Sequence, residues 1–177
     1  MLTTIVGEKM TYLKFTMMTL ILASASLYAE TAKVVYDLTS GDSSKIEKHL
    51  INSVRALSHY YKEEKIEFKV IVVISGDAYK YFVDDLKHSP YAKNKDTAEV
   101  QEKFRHRLSI LNENGVTFNM CATGMKARGI EKQTLYKYVH ADVMKGVYLI
   151  EAQNNGYVSS LTTLFQYSNS ISPKRIR

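Results

Sequence analysis

The chain has 177 residues, 24 of them Lys or Arg and 18 Asp or Glu, giving a net charge of +6, with two prolines, no tryptophan and one cysteine. A single cysteine excludes an internal disulfide, so packing alone must hold the fold, and the length suits one domain with a real hydrophobic core better than two. The positive charge is spread over many segments, without zinc-finger spacing, a basic helix or a single-strand aromatic motif, which argues for a solvated basic surface and against a nucleic-acid partner.

The first thirty residues differ in kind from the rest. Lys9 and Lys14 precede an apolar run from Phe15 to Ala25, and small residues follow around Ala25, Ser26 and Ala29. This is the three-part layout of a secretory signal peptide. The run is shorter than the roughly 20 apolar residues of a membrane span and no basic stop-transfer cluster follows it, so no stable membrane anchor is expected. Residues 1–29 are therefore expected to be a cleaved signal peptide, with Leu27 and Ala29 at the positions a signal peptidase reads and Met10 as an alternative start. A buried N-terminal helix is the structural alternative. Cleavage would place a domain of residues 30–165 in the periplasm, ending in a loosely ordered basic tail at residues 166–177.

Lys33–Leu38 is rich in β-branched and aromatic residues and stops at the turn-forming Thr39-Ser40-Gly41-Asp42, which predicts a first strand. Ser44 and Glu47 have the spacing of a capping box, and Ile46, Leu50, Ile51, Val54 and Leu57 then recur at helical intervals as far as Tyr60 or Tyr61. Glu67–Ser75 has a nearly continuous apolar centre, as expected of a strand covered on both faces, and ends at Gly76-Asp77. Tyr79–Leu86 reads as a short helix, and the polar stretch His88–Lys95, with Pro90, as a loop. A helix is predicted from Ala98 to Asn114 on the face made by Val100, Phe104, Leu108 and Leu111, stopped by Asn114-Gly115, and a strand from Val116 to Met120. Beyond Cys121 and the turn Ala122-Thr123-Gly124, the spacing predicts a helix over 131–140, a strand over 142–144, a helix over 147–155 ended by Gly156, and a last strand over 157–163. Strands alternating with helices imply an α/β fold, a three-layer α/β/α sandwich on a mainly parallel sheet of about five strands.

Function in open α/β sheets collects at the carboxyl ends of strands. Three loops qualify: Thr39–Ser43, Ser75–Tyr79 and Cys121–Gly129. Cys121 is the one strong nucleophile there. Free backbone amides of the following turn, with Gly124, Lys126 and Arg128, could favour its thiolate; equally, cysteine is among the most buried residue types and could simply finish the strand. Asp37, Ser40, Gly41 and Gly76 are further cleft or anion-binding candidates, although an aspartate at a strand end more often braces a turn, and the loop lacks a Walker lysine or a GxGxxG pattern. His49, His59, His88, His106 and His140 are scattered without metal-ligand spacing, so neither a metal nor a cofactor is expected.

The segments Lys33–Asp42, Ile71–Tyr79 and Asn114–Ile130, with the closing Met144–Tyr157, together resemble the DsrE/DsrF-like family of small sulfur-metabolism proteins. The most specific element is Cys121 followed by Ala127-Arg128-Gly129-Ile130. The resemblance implies a flavodoxin-like α/β/α domain, a homo-oligomer of trimer or hexamer size, and a persulfide-carrying cysteine at the position of Cys121. The leading expectation is thus an exported sulfur carrier, or sulfurtransferase-like protein, that accepts a sulfane sulfur on Cys121 from a donor protein or small sulfur compound and passes it on. The alternative is a non-catalytic small-ligand-binding or assembly subunit with the same fold. A thiol peroxidase is the third reading, and it lacks a resolving cysteine in the chain.

Overall fold

The structure, a computed structural model, describes residues 30–160. The expected signal peptide at 1–29 and the tail at 166–177 lie outside the described residues. Five strands form one sheet: β1 (Thr31–Leu38), β2 (Glu67–Ile74), β3 (Val116–Met120), β4 (Val139–His140) and β5 (Val158–Ser159), in the order β4-β3-β2-β1-β5. The pairs β2/β3, β3/β4 and β1/β5 are parallel. The helices are α1 over residues 43–63, α2 (Lys95–Glu113), α3 (Ala122–Ala127) and α4 (Lys145–Asn154). Within α1, the stretch Glu47–Asn52 is π-helical.

Two faces of the sheet are packed differently, and period-two alternation decides which residue goes where. On one face Tyr36, Leu38, Val70, Val72, Ile74, Val116, Phe118 and Met120 meet Ile46, Leu50, Ile51 and Val54 of α1 and Phe104, Leu108 and Leu111 of α2. The other face is smaller: Val35 and Val73 pack against Ala152 of α4, with Ile71, Tyr148 and Leu149 around them. Burying one side chain of this kind stabilises the fold by about 1.5–3 kcal/mol, so the first face carries most of the core. The second face brings the N-terminus of α4 to the carboxyl edge of the strands.

The sandwich and the parallel sheet match the reading of the sequence, while several local elements differ. Asp42, not Ser44, caps α1: its carboxylate accepts from the amides of Ser44 at 2.9 Å and Lys45 at 3.1 Å. Glu47 accordingly leaves the helix end and pairs with Lys103 at 2.7 Å and Arg107 at 2.5 Å on α2. Gly76–Tyr81 is a 3-10 helix, a second one spans Leu86–His88, and α2 starts as early as Lys95 because Asn94 caps it through Thr97. The helix expected over 131–140 is absent; it is replaced by a 3-10 turn, Lys132–Thr134, and extended chain leading to β4. The reason is a non-local partner: the amides of Asp84 and Asp85 bond Thr134 O, the amide of Tyr136 bonds Phe82 O, and Val83 bridges Leu135. The strand expected over 142–144 lies instead at Val139–His140, beside Phe118 and Asn119.

Asp42→Ala is expected to lower stability by about 1 kcal/mol, as loss of an N-cap does, whereas Ser44→Ala should be near neutral. Thermal unfolding of the two variants checks this; equal losses would restore the capping box.

Candidate functional site

The carboxyl ends of β1 and β2 are latched to one another. Ser75 donates its amide to Leu38 O at 2.8 Å, and Asp77 donates to Thr39 O at 3.0 Å. Gly76 makes this possible with φ +60; a Cβ there would lie 2.6 Å from Thr39 O. The Gly41 carbonyl accepts from the Tyr81 hydroxyl at 2.8 Å, and Ser40 Oγ accepts from the Asp42 amide at 3.2 Å. Ser40, Gly41 and Gly76 are thus engaged within the two loops, and their role is to fix the rim on which the site stands.

Cys121 follows β3 and opens α3, with extended backbone at φ −63 and ψ 108. Its amide bonds Ile74 O at 2.9 Å, and its carbonyl accepts from the Met125 amide at 3.0 Å. The thiol is partly exposed. Burial pushes the thiol up, but hydrogen bonds from the Gly124 and Lys145 amides, the Tyr79 hydroxyl and the Thr123 amide outweigh it and hold Cys121 below its ordinary value. Donors that face the charged form favour it, so the thiolate of Cys121 is more accessible than that of an ordinary cysteine.

Tyr79 is the residue beside Cys121 that the sequence reading did not single out, although it closes the Ile71–Tyr79 segment. It is 1% exposed and donates its hydroxyl to the Cys121 carbonyl at 3.1 Å, within reach of the thiol. Burial first, then the bond to Cys121 and the cysteine's charge, push the phenol well above its usual range, so the hydroxyl remains a donor. Gly124 is required by this contact: a Cβ there would lie 2.1 Å from the Tyr79 oxygen. Arg128 stands over the Tyr79 ring at 5.0 Å and reaches Gly124 O at 3.4 Å. Arg128 therefore acts on the tyrosine's ring, while Lys126 is exposed in the last turn of α3. The groups that hold the thiolate are neutral: three amides and a hydroxyl.

On the other side of the thiol stands α4, whose start has no side-chain cap. The Lys145 amide turns to the Cys121 sulfur, and its ammonium pairs with Asp37 Oδ2 at 2.7 Å. Asp37 is thereby tied to the thiol through one residue. Its second oxygen, Oδ1, and the Ser75 hydroxyl are buried with no hydrogen-bond partner. Among the described residues no group of three or more His, Cys, Asp or Glu could hold a metal ion, and no helix is long and apolar enough to cross a membrane. His88 and His59 pair with Asp85 at 2.6 Å and Glu63 at 3.4 Å.

A model of the DsrE/DsrF-like family matches residues 33–159. Among solved structures, a protein of unknown function from Methanobacterium thermoautotrophicum is 19% identical, with a TM-score of 0.57 over 73% of this chain and 97% of that one. The ychN protein of E. coli is 16% identical, with a TM-score of 0.44 over the same shares. The first likeness establishes the fold. No curated protein matches the chain.

Tyr79→Phe removes a donor to the thiolate, so the Cys121 pKa should rise and less thiolate should be present at neutral pH. Iodoacetamide should then alkylate Cys121 roughly three- to tenfold more slowly, the factor for losing one hydrogen bond of about 1 kcal/mol. An unchanged rate-against-pH profile would remove Tyr79 from the site. Gly124→Ala should slow alkylation in the same direction by displacing the phenol.

Proposed function

The chain belongs to the DsrE/DsrF-like family; on that premise we propose that it is an exported sulfur carrier, or sulfurtransferase-like protein, in which Cys121 accepts a sulfane sulfur and delivers it to a partner. The observation that carries this reading is a partly exposed thiol with four neutral hydrogen-bond donors around its sulfur. Such a sulfur is both a thiolate ready to attack and a good leaving group.

Loading balances without a redox co-reactant. The Cys121 thiolate attacks the outer sulfur of a donor persulfide, R–S–SH; the donor S–S bond breaks, its electron pair leaves on R–S as the thiolate, and the proton stays on the transferred outer sulfur. The products are R–S⁻, which takes a proton from water, and the protonated Cys121 persulfide, Cys121–S–SH. Delivery reverses the roles: an acceptor thiolate attacks the outer sulfur and Cys121 departs as the thiolate that its amides stabilise. With one cysteine in the chain, a peroxidase cycle would need another protein's thiol for resolution, which favours the carrier.

The signal-peptide pattern of residues 1–29 supports a periplasmic location. Met144, Ile150 and Val158 are exposed apolar residues at 55, 60 and 67% on α4 and β5 and near them, which supports assembly into a homo-oligomer, whose trimer or hexamer size is what the family resemblance implies. The donor and acceptor would be partner proteins or small sulfur compounds.

Intact-mass spectrometry before and after incubation with glutathione persulfide tests the reading. The protein should gain about 32 Da, one sulfur, removable by reductant and absent from Cys121→Ser. No gain, with Cys121 resistant to alkylation in the folded protein, would favour a non-catalytic binding or assembly subunit.

A further inference from the structure

On the next two strands over from the one that ends at Cys121, two buried oxygens lack partners: Ser75 Oγ and Asp37 Oδ1. Ser75 is only 7% exposed. Leaving a buried polar group unpaired is unfavourable, and a native fold that keeps two such groups together calls for a physical reason. Their placement supplies one.

Ile74 is in register with Met120, so Ser75 is the residue across from Cys121 on the neighbouring strand, where adjacent strands lie about 4.8 Å apart. Ser75 continues β2 in extended conformation, φ −154 and ψ −176. Its side chain therefore leaves the sheet on the face opposite Ile74, the face that Val73 shares with α4. Asp37 leaves β1 on that same face, two residues after Val35. Lys145, the first residue of α4, reaches both ends of this row, its ammonium on Asp37 Oδ2 and its amide on the Cys121 sulfur. Asp37, Ser75 and Cys121 thus stand near the carboxyl ends of three adjacent strands, with Lys145 touching the first and the last of them.

We propose that Ser75 and Asp37 form the seat of the outer sulfur of the Cys121 persulfide, a deepening that rests on the carrier reading. A terminal sulfhydryl, S–SH, has one donor and a weak acceptor. Asp37 Oδ1 accepts its proton and the Ser75 hydroxyl donates to its sulfur, so one group satisfies both oxygens. Lys145 fixes Asp37 from behind and leaves Oδ1 as the free acceptor. The carboxylate keeps the cargo in the protonated form, and a neutral outer sulfur accepts attack by an incoming thiolate more readily than an anionic one. Ser75 and Asp37 are positioning residues: the bonds that form and break are those of the loading and delivery steps, and neither side chain enters them.

The test loads full-length wild type, Ser75→Ala and Asp37→Asn with glutathione persulfide and follows the added sulfur by intact mass as it is held and then transferred to a small acceptor thiol. Ser75→Ala removes a hydroxyl that makes no hydrogen bond, so thermal stability should not fall, and alkylation of unloaded Cys121 should keep its wild-type rate. Persulfide occupancy or transfer should nevertheless fall roughly fivefold or more, the factor expected from one lost hydrogen bond, and Asp37→Asn should fall at least as far. Wild-type loading matched by both variants would overturn the seat while leaving the carrier reading intact, the two oxygens then holding only water. Failure of wild type to load would overturn the carrier reading and the seat with it.

Discussion

Cys121 finishes a strand and begins a helix within one residue, and the rest of the site depends on that junction. Its amide completes the β3 ladder on Ile74, and its carbonyl starts α3 through Met125 while also accepting from Tyr79. The peptide planes on both sides are therefore fixed, which holds the partly exposed side chain in one place at the carboxyl rim. The amides of Thr123 and Gly124 lie on one side of the sulfur and that of Lys145 on the other. The latch between the β1 and β2 loops, made by Gly76 and closed over Thr39, keeps Tyr79 in its place beneath the glycine of α3.

The means of stabilising the thiolate has consequences for what the site can do. A surface lysine or arginine would act through solvent, weakened by screening and by its own mobility. Backbone amides are short dipoles on rigid elements, and a buried phenol is held by its packing. Such donors favour the anion on Cys121 without placing a cation beside it to compete for the incoming group. Arg128 contributes indirectly, by covering the ring of Tyr79.

Much of the fold was legible in the sequence because its signals are local. The apolar centre of Glu67–Ser75, the face made by Phe104, Leu108 and Leu111, and the Asn114-Gly115 stop each report on one element, and Cys121 could be placed at a strand end from neighbouring residues alone. What escaped depends on distant partners. The stretch 131–140 has apolar residues at intervals that fit a helix, yet its backbone groups are taken by Phe82–Asp85. Ser44 with Glu47 mimics a capping box, but Asp42 is the cap and Glu47 is claimed by α2. Within the site, Lys126 and Arg128 drew notice by charge, while the amide of Lys145 carries no sequence signature, lying 24 positions from the thiol in the chain. Ser75 and Tyr79 bound one of the three candidate loops read from the sequence but were not singled out within it, since nothing local tells that a hydroxyl will meet sulfur or remain without a partner.

That neutral donors on the fold's own framework favour the Cys121 thiolate is tested most directly by titrating the Cβ carbon resonance of Cys121 at low and high salt. The midpoint is expected below the ordinary thiol value of about 8.5 and should barely move with ionic strength, because the amides and the phenol are not screened. A midpoint at or above about 8.5, or one that climbs as salt is added, would contradict it and return the role to the surface cations or leave the thiol inert.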